Sequence, residues 1–97
     1  VFRKDGRLLY QSRAPIPFTK NKKFVKAWRQ VCIYSLPYKP LLKFKSNRKT
    51  TLESIEDCEL MRFIELGYEI KLIKMSNKSI SVDTIDDLKR VSKFIKN

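Results

Sequence analysis

The sequence predicts an α/β fold in which helices flank a mixed β-sheet. Short segments rich in β-forming residues alternate with segments that show a helical spacing of apolar residues, and no internal repeat is present. A length of 97 residues allows one domain at most, and a hydrophobic fraction of 42% can supply its core. Because the chain begins at Val1 and enters strand-like sequence at once, we expect residues 1–97 to form a single partial domain.

The chain is expected to open with a β-hairpin. Residues 1–3 and 8–12 flank Asp5-Gly6, a pair that is frequent in tight hairpin turns. Arg13 then ends the second strand and is followed by a Pro-x-Pro corner, which fixes extended backbone. This arginine either clamps a carboxylate or phosphate through its planar guanidinium or remains a solvated side chain at a strand end.

The middle of the chain contains the most apolar strand candidate. Residues 30–36, from Gln30 to Leu36, are almost continuously apolar and end at a proline, which predicts a central strand buried on both faces. Tyr34 in this strand either presents its hydroxyl to a ligand or packs and finds a single partner for it.

Two helices are expected next. The first is short and follows Pro40, and the second begins at Thr50-Thr51-Leu52-Glu53, which has the spacing of a capping box. This second helix is predicted over residues 52–66, with Gly67 in the left-handed conformation that ends many helices. Glu59 lies beyond its first turn, where the helix dipole explains an acidic residue poorly, so a binding role is open.

The last part of the chain is predicted to hold two strands and a helix. Residues 68–75 alternate apolar and polar positions, residues 79–82 resemble a strand end, and a helix starts at Ile85. Asp83 therefore lies where a strand gives way to a helix. It either caps the helix or holds a hard cation such as Mg²⁺, and on spacing alone the capping role is favoured.

Charge divides the chain into two unequal halves. Residues 1–50 carry 14 Lys and Arg against one acidic residue, whereas residues 51–97 carry 8 against 9, and the net charge is +12. Such a basic half attracts polyanions, which include nucleic acid, anionic lipid and nucleotide phosphates. Charge does not choose among these three classes.

Several classes of site and location are disfavoured by what the sequence lacks. It has no histidine, no Cys-x-x-Cys pair, no glycine-rich phosphate loop and no apolar run long enough to cross a bilayer. Nothing in it can form a complete enzyme active site. We expect a soluble, cytoplasmic protein without a membrane partner, in which Cys32 and Cys58 are buried, reduced thiols.

Four blocks of the sequence resemble consecutive parts of CMP-Kdo synthetase, the 3-deoxy-manno-octulosonate cytidylyltransferase family. They occur in the same order and with similar spacing, and they match the C-terminal two-fifths of that family. The blocks are Tyr10-Gln-Ser-Arg-Ala-Pro-Ile-Pro-Phe18, Arg29-Gln-Val-Cys-Ile-Tyr34, Leu52-Glu-Ser-Ile-Glu-Asp-Cys-Glu-Leu-Met-Arg62 with Glu65-Leu-Gly67, and Ser81-Val-Asp-Thr-Ile-Asp-Asp-Leu-Lys-Arg-Val91.

The resemblance implies the C-terminal part of a Rossmann-like nucleotide-diphospho-sugar transferase fold. It implies transfer of CMP from CTP to the anomeric hydroxyl of Kdo for lipopolysaccharide synthesis, with Mg²⁺ as the cofactor and a homodimer as the assembly. Asp83 would then be a Mg²⁺ ligand, and the cap of the last helix would fall to Thr84. Arg13 would hold the sugar acid, while Tyr34 and Glu59 would contact the sugar.

Some positions depart from the family pattern. Gln30 stands where the family usually has histidine, although an amide can still hydrogen-bond a sugar hydroxyl. Cys32 stands where it usually has glycine, and Leu60 replaces a glutamine. These changes leave open a related 2-keto sugar acid as the acceptor. The CTP-binding half of the family has no counterpart in these 97 residues, so we expect the chain alone to be inactive.

Two further interpretations remain open. A small basic nucleic-acid-binding module is suggested by Phe18, Phe24 and Trp28, which lie near lysines and could stack on bases. The absence of a recognised nucleic-acid-binding motif argues against it. The other interpretation is a structural or dimerisation fragment without activity of its own.

Overall fold

The computed structural model describes residues 1–95 and contains four helices in that range. They are α1 (Tyr38–Ser46), α2 (Thr51–Glu56), α3 (Leu60–Glu65) and α4 (Ile85–Ile95). Extended pairing in the described residues is limited to two isolated antiparallel bridges, Phe2 with Leu8 and Arg7 with Lys71. Residues 96 and 97 of the predicted domain lie outside the described part of the chain.

The predicted opening hairpin is confirmed. The backbone N–H of Arg3 donates to the carbonyl of Arg7 at 2.8 Å, and the N–H of Gly6 donates to the carbonyl of Arg3 at 2.9 Å. Gly6 has φ +88°, a conformation that residues with a Cβ rarely adopt. The Asp5 carboxylate accepts from the N–H of Arg7 at 3.1 Å, which closes the turn.

A third segment, residues 70–72, pairs with the hairpin. The N–H of Leu8 donates to the carbonyl of Ile70, and the N–H of Leu72 donates to the carbonyl of Gly6, both at 2.8 Å. A Cβ on Gly6 would lie 3.0 Å from the Leu72 carbonyl oxygen, so glycine is also needed for this close approach. The larger mixed sheet that the sequence predicts is not confirmed in residues 1–95.

The prediction of a buried central strand at residues 30–36 is wrong for this structure. This segment forms no bridge with any described residue, and Ile33 is 75% exposed. A strand buried on both faces needs a hydrogen-bonding neighbour and covering helices, and residues 1–95 supply neither to this segment. For the same reason residues 79–82 are irregular, with Ile80 and Val82 exposed.

The single helix predicted over residues 52–66 is in fact two helices, α2 and α3. The break lies at Asp57, which adopts a left-handed conformation with φ 49° and ψ 51°. The Cys58 carbonyl then accepts from the N–H of Met61 at 3.1 Å, which starts the second helix. Both predicted ends agree with the structure, however. At the start, the Glu53 carboxylate accepts from the N–H of Thr50 at 3.3 Å, which is one of the two hydrogen bonds of the predicted capping box, and at the end Gly67 has φ +86°.

The end of α3 is a Schellman motif. The N–H of Gly67 donates to the Ile64 carbonyl at 3.0 Å, and the N–H of Tyr68 donates to the Phe63 carbonyl at 2.9 Å. Two helix carbonyls that would otherwise lack partners are thereby satisfied. The motif also turns the chain back toward the hairpin, where Ile70 pairs with Leu8.

A small apolar core lies between the hairpin, α1 and α3. Its buried apolar side chains are Leu8, Leu60, Met61 and Phe63. Phe44 of α1 stacks on Phe63 with ring centroids 4.9 Å apart, and Tyr68 meets the same ring edge-on at 6.2 Å. Because so few apolar side chains are buried, the hydrophobic effect contributes only modestly to the stability of the described residues.

A buried ion pair completes this core. Glu53 is 1% exposed, and its two carboxylate oxygens accept hydrogen bonds from Arg62 Nε at 2.5 Å and Nη2 at 2.6 Å. Arg62 Nη1 donates to the carbonyls of Phe44 at 3.0 Å and Asn47 at 3.1 Å, at the end of α1. One side chain therefore joins α1, α2 and α3.

Helix α4 makes no contacts with the other helices of the described chain. Its apolar residues Leu88, Phe94 and Ile95 share one side, as the sequence predicts, and all three are exposed. None of the helices in residues 1–95 is long and apolar enough to cross a membrane.

Loss of the Glu53 carboxylate should destabilise the chain strongly. Glu53→Ala leaves the Arg62 guanidinium half-buried without its counter-ion, and we expect the free energy of unfolding to fall by about 3 kcal/mol or more. Urea unfolding followed by far-UV circular dichroism measures the change. Asp86→Ala, which breaks the exposed pair of Asp86 with Lys89, is the matched control and should cost less than about 1 kcal/mol. Equal urea midpoints for the two variants would contradict the assignment.

The same carboxylate should make stability depend on pH. Hydrogen bonds from Arg62 lower the pKa of Glu53, against the opposing effect of burial. A lowered pKa in the folded state contributes stability that is complete above about pH 4.3, the ordinary value in the unfolded chain, and is lost as the pH falls through the folded-state pKa. Urea midpoints measured between pH 7 and pH 3 should therefore fall less steeply for Glu53→Gln than for the unchanged chain. Parallel curves would show that other carboxylates carry the effect.

Candidate functional site

Arg13 is bound to the break between α2 and α3. Its Nε donates to the Glu56 carbonyl at 2.8 Å, and its Nη2 donates to the Asp57 carbonyl at 2.9 Å and contacts the Asp57 carboxylate at 3.3 Å. The guanidinium thus satisfies carbonyls at the C-terminal end of α2 and stabilises the left-handed residue there. The sequence suggested a clamp for a ligand anion, and the structure adds a protein-bound role for two of its nitrogens.

Glu56 holds the same junction from the other side. Its carboxylate accepts from the backbone N–H of Arg13 at 2.9 Å and from the Tyr10 hydroxyl at 3.0 Å. The Arg13 N–H and the Ser12 hydroxyl lower the pKa of Glu56, and the bond to Glu56 raises the pKa of Tyr10. No local sequence pattern indicates this contact, because Glu56 and Arg13 lie 43 residues apart.

Gln30 and Tyr34 are brought together. The Gln30 amide Nε2 donates to the Tyr34 hydroxyl across one stretch of irregular chain. Partial burial, then the Cys32 thiol, and more weakly the charges of Cys58 and Glu59, raise the pKa of Tyr34 to about 12. The hydroxyl therefore stays protonated at neutral pH and can donate a hydrogen bond to a ligand.

Glu59 stands at the start of α3 with its carboxylate exposed. Its negative charge contributes weakly to the raised pKa of Tyr34, and Tyr34 is hydrogen-bonded to Gln30, so these three residues are the predicted sugar contacts that the structure relates to one another. Such a group offers a neutral amide, a phenol and a carboxylate, which together suit a polyhydroxylated molecule. Within residues 1–95 no hydrogen bond or ion pair joins Arg13 or Asp83 to this group.

Asp83 does not cap α4. Thr84 caps α4, because its hydroxyl accepts from the N–H of Asp87 at 3.2 Å while the Asp87 carboxylate accepts from the N–H of Thr84 at 3.1 Å. The expected cap at Thr84 is confirmed, and this bonding lowers the pKa of Asp87. The Asp83 side chain is exposed and makes no hydrogen bond or ion pair with a described residue.

Asp83 offers a carboxylate for a metal, but the described residues form no complete cage around it. No group of three or more His, Cys, Asp or Glu side chains within residues 1–95 could hold a metal ion. Asp87, the nearest carboxylate in sequence that contacts the Asp83 backbone, is occupied by Thr84 and Arg90. Asp83 can supply an oxygen ligand, and further ligands must come from substrate phosphates, water or other residues.

An open cavity of about 630 Å³ lies beside Arg13. It runs between residues 11–17 and 24–28, and Trp28 and Phe24 form part of its wall. Lys26 and Lys74 lie 4.7 Å and 5.4 Å from the centroid of the Trp28 ring. Phe24 and Trp28 were predicted only as base-stacking candidates, and their position beside Arg13 depends on tertiary contacts that local sequence patterns do not contain.

Both cysteines are free thiols in the described structure. Cys58 is half-buried, but Cys32 is exposed, so the expectation that both are buried is wrong for Cys32. The reason is the same as for the strand around it, because residues 30–36 receive no covering element from the described residues.

Three curated proteins that are similar to this chain have the same name. A 3-deoxy-manno-octulosonate cytidylyltransferase of Chlamydia pneumoniae is 36% identical over 95 residues, which cover 98% of this chain and 37% of the relative. The chain resembles part of a 3-deoxy-manno-octulosonate cytidylyltransferase. Proteins of the same name from Christiangramia forsetii and Chlorobium chlorochromatii are each 33% identical, over 95% and 99% of this chain. No protein-family model matches the chain.

These similarities confirm the resemblance that the sequence blocks indicate. The chain spans less than two-fifths of the length of the cytidylyltransferases that it matches, with covered shares of 37% to 39%. Cytidylyltransferases of this name are nucleotidyltransferases, so the coarse prediction of a nucleotidyltransferase-related chain is supported. The roles of Arg13, Gln30, Tyr34, Glu59 and Asp83 stay predictions.

Removal of the Arg13 side chain should loosen the junction between α2 and α3. Arg13→Ala deletes three contacts to Glu56 and Asp57, and we expect amide hydrogen exchange across residues 57–62 to become roughly tenfold faster. Arg13→Lys should restore little of the protection, because an ammonium lacks the planar fork that reaches two carbonyls. Arg29→Ala is the matched control, since it removes an exposed arginine that bonds to Ser79 instead. Unchanged exchange in Arg13→Ala would contradict the anchoring role.

Proposed function

We propose that the chain is the C-terminal, sugar-binding and dimerisation part of a cytidylyltransferase. The proposed enzyme transfers CMP from CTP to the anomeric hydroxyl of Kdo or a related 2-keto sugar acid, in the cytoplasm. The observation that carries the proposal is similarity over 98% of the chain to a protein with this named activity. It is supported by the hydrogen bond between Gln30 and Tyr34, two of the proposed sugar contacts.

The sugar is proposed to bind between the Gln30, Tyr34 and Glu59 group and Arg13. The Tyr34 hydroxyl and the Gln30 amide suit sugar hydroxyls, and Glu59 suits a hydroxyl donor better than a carboxylate because like charges repel. Arg13 uses Nε and Nη2 on helix carbonyls, so the proposed contact to the sugar carboxylate falls to Nη1. The substrate's carboxylate would then be recognised by an arginine that the fold already orients.

Mg²⁺ is the proposed cofactor, and Asp83 is its proposed ligand in this chain. The residue fits the ion in kind, because Mg²⁺ commonly binds one or two carboxylates together with substrate phosphates. When bound, the ion would neutralise negative charge that develops on the phosphate oxygens. Asp83 lies two residues before the start of α4, and its carboxylate forms no hydrogen bond or ion pair with a described residue.

In the proposed reaction the anomeric oxygen of the sugar attacks the α-phosphorus of CTP. A new phosphorus–oxygen bond forms, the bond to the β-phosphate oxygen breaks, and pyrophosphate leaves. The part played by this chain is to hold the sugar acid and to orient its anomeric hydroxyl. Because these 97 residues lack a glycine-rich phosphate loop, we propose that CTP is held by a section that corresponds to the remaining three-fifths of the relatives. A homodimer is the proposed assembly.

A chimeric enzyme tests this proposal. Residues 1–97 should replace the matching section of the Chlamydia pneumoniae relative, and CMP-Kdo formation from CTP and Kdo should be measured with and without Mg²⁺. We expect Mg²⁺-dependent product from the chimera, with the unaltered relative as the positive control, and none from the 97-residue chain alone. A chimera with a native-like circular dichroism spectrum but no product would contradict the proposal, and so would product from the isolated chain.

Asp83→Asn in the active chimera should lower turnover by roughly a hundredfold or more, because an amide is a poor ligand for Mg²⁺. Circular dichroism should stay unchanged, since Thr84 and not Asp83 caps α4. The matched control is Asp86→Asn, three residues along the chain and also exposed, which should retain most of the activity. Equal activity in both variants would remove Asp83 from the metal site.

A further inference from the structure

Arg13 is held at its backbone by Glu56. The N–H of Arg13 donates to Glu56 Oε2 at 2.9 Å, although the two residues lie 43 positions apart in the sequence. A backbone N–H is a single donor, so the Glu56 side chain already satisfies it. Arg13 takes part in neither of the two β-bridges of residues 1–95. The Glu56 carboxylate therefore takes the place of the partner that a sheet would supply to a strand end.

The same residue also binds the Arg13 side chain. The main-chain carbonyl of Glu56 accepts from Arg13 Nε at 2.8 Å, while the neighbouring Asp57 carbonyl accepts from Nη2 at 2.9 Å. Glu56 thus contacts Arg13 at two points, once at the backbone and once at the guanidinium. These two points fix where the side chain begins and which edge of the guanidinium turns toward α2. They leave Nη1 without a hydrogen bond to any residue in the described range 1–95.

The Glu56 carboxylate is itself fixed. Its other oxygen, Oε1, accepts from the Tyr10 hydroxyl at 3.0 Å. Tyr10 follows the opening hairpin, and its N–H donates to the Val1 carbonyl at 3.2 Å. The Arg13 N–H and the Ser12 hydroxyl lower the pKa of Glu56, so the carboxylate is charged at neutral pH. A continuous set of contacts therefore leads from the hairpin through Tyr10 and Glu56 to Arg13.

We propose that Glu56 is a positioning residue for recognition of the sugar acid and that it acts through Arg13 without touching the substrate. This inference rests on the proposed function, in which Arg13 Nη1 binds the carboxylate of the sugar acid. Each Glu56 carboxylate oxygen already accepts a hydrogen bond from the protein, and its negative charge would repel the carboxylate of the sugar. Glu56 serves the substrate indirectly, because it restricts the guanidinium to one place before the sugar binds.

The proposal predicts an effect on sugar binding and not on turnover. During transfer of CMP, bonds change at the anomeric oxygen and at the α-phosphorus, while the sugar carboxylate keeps its charge. A contact with that carboxylate therefore has the same strength in the ground state and in the transition state. Loss of such a contact raises the KM for the sugar at constant kcat.

In the active chimera, Glu56→Gln should raise the KM for Kdo about tenfold, because the amide keeps an acceptor oxygen but loses the charge. The kcat and the KM for CTP should stay within about twofold of those of the unchanged chimera. The matched control is Glu65→Gln, since the Glu65 carboxylate also accepts from a backbone N–H, that of Leu52 at 3.0 Å. The KM for Kdo of this control should change by less than about twofold, because its donor is not Arg13.

A double variant separates positioning from general stabilisation. Once Arg13→Ala has removed the guanidinium, Glu56 has nothing left to position. Adding Glu56→Gln should then leave the KM for Kdo within about twofold of that of Arg13→Ala. Tyr10→Phe removes only the donor to Oε1 and should raise the KM for Kdo about threefold. Far-UV circular dichroism verifies that each variant remains folded, and Tyr10→Phe carries the kinetic test if Glu56→Gln does not fold.

Nuclear magnetic resonance tests the positioning role without any enzymatic activity. In the 97-residue chain with isotope-labelled arginine, the Arg13 Nε–H signal is identified by its loss in Arg13→Ala. Its exchange with solvent should become about tenfold faster in Glu56→Gln and should stay unchanged in Glu65→Gln.

The two kinds of measurement distinguish this proposal from the proposed function. A chimera that forms no product with Glu56 intact would contradict the proposed function, and the exchange rate would still decide whether Glu56 positions Arg13. Three results would each overturn the positioning role. They are an unchanged Arg13 Nε–H exchange rate in Glu56→Gln, equal KM values for Kdo in Glu56→Gln and Glu65→Gln, and a further rise in the KM for Kdo when Glu56→Gln is added to Arg13→Ala.

Discussion

The ion pair of Arg62 and Glu53 is the constraint on which the rest of the fold depends. A core of four buried apolar side chains cannot by itself fix three short helices. Arg62 does so with directed bonds, two to Glu53 in α2 and two to carbonyls at the end of α1, while its guanidinium also lies 3.8 Å from the centroid of the Phe44 ring. The relative positions of α1, α2 and α3 are therefore fixed more by hydrogen bonds of this ion pair than by the packing of apolar side chains.

Arg13 solves a similar problem at the other end of α2. In a short helix, the carbonyls of the last turn, which lack a partner within the helix, make up a large share of all its carbonyls. Arg13 and Arg62 each donate hydrogen bonds to such carbonyls at a helix end. The bonds of Arg13 to these carbonyls also affect the candidate site. An arginine that is bound to the protein backbone is also held in one orientation, so the residue proposed to recognise the sugar acid is positioned by the same bonds that define the α2–α3 junction.

Features that depend on a few neighbouring residues could be predicted from the sequence. The Asp5-Gly6 turn, the bond from the Thr50 N–H to Glu53, the left-handed Gly67 and the Thr84 cap all involve contacts within about five residues. Predictions failed where distant residues decide the outcome. The break at Asp57 interrupts a helical pattern and is bound by Arg13, 44 positions earlier, and no local spacing contains that information. The burial expected for residues 30–36 likewise needs neighbours that residues 1–95 do not provide.

Because Thr84 and not Asp83 caps α4, the evolution of residue 83 is not constrained by the start of this helix. Thr84 and Asp87 form the cap of α4 without the Asp83 carboxylate, so folding places little selection on residue 83. In a lineage that still needed a metal ligand there, the aspartate would be retained for chemistry alone. Where that need was lost, residue 83 could drift while α4 kept its start and its length. The identity of this one residue in related chains would then record whether the proposed metal-binding role survived, independently of whether the fold did.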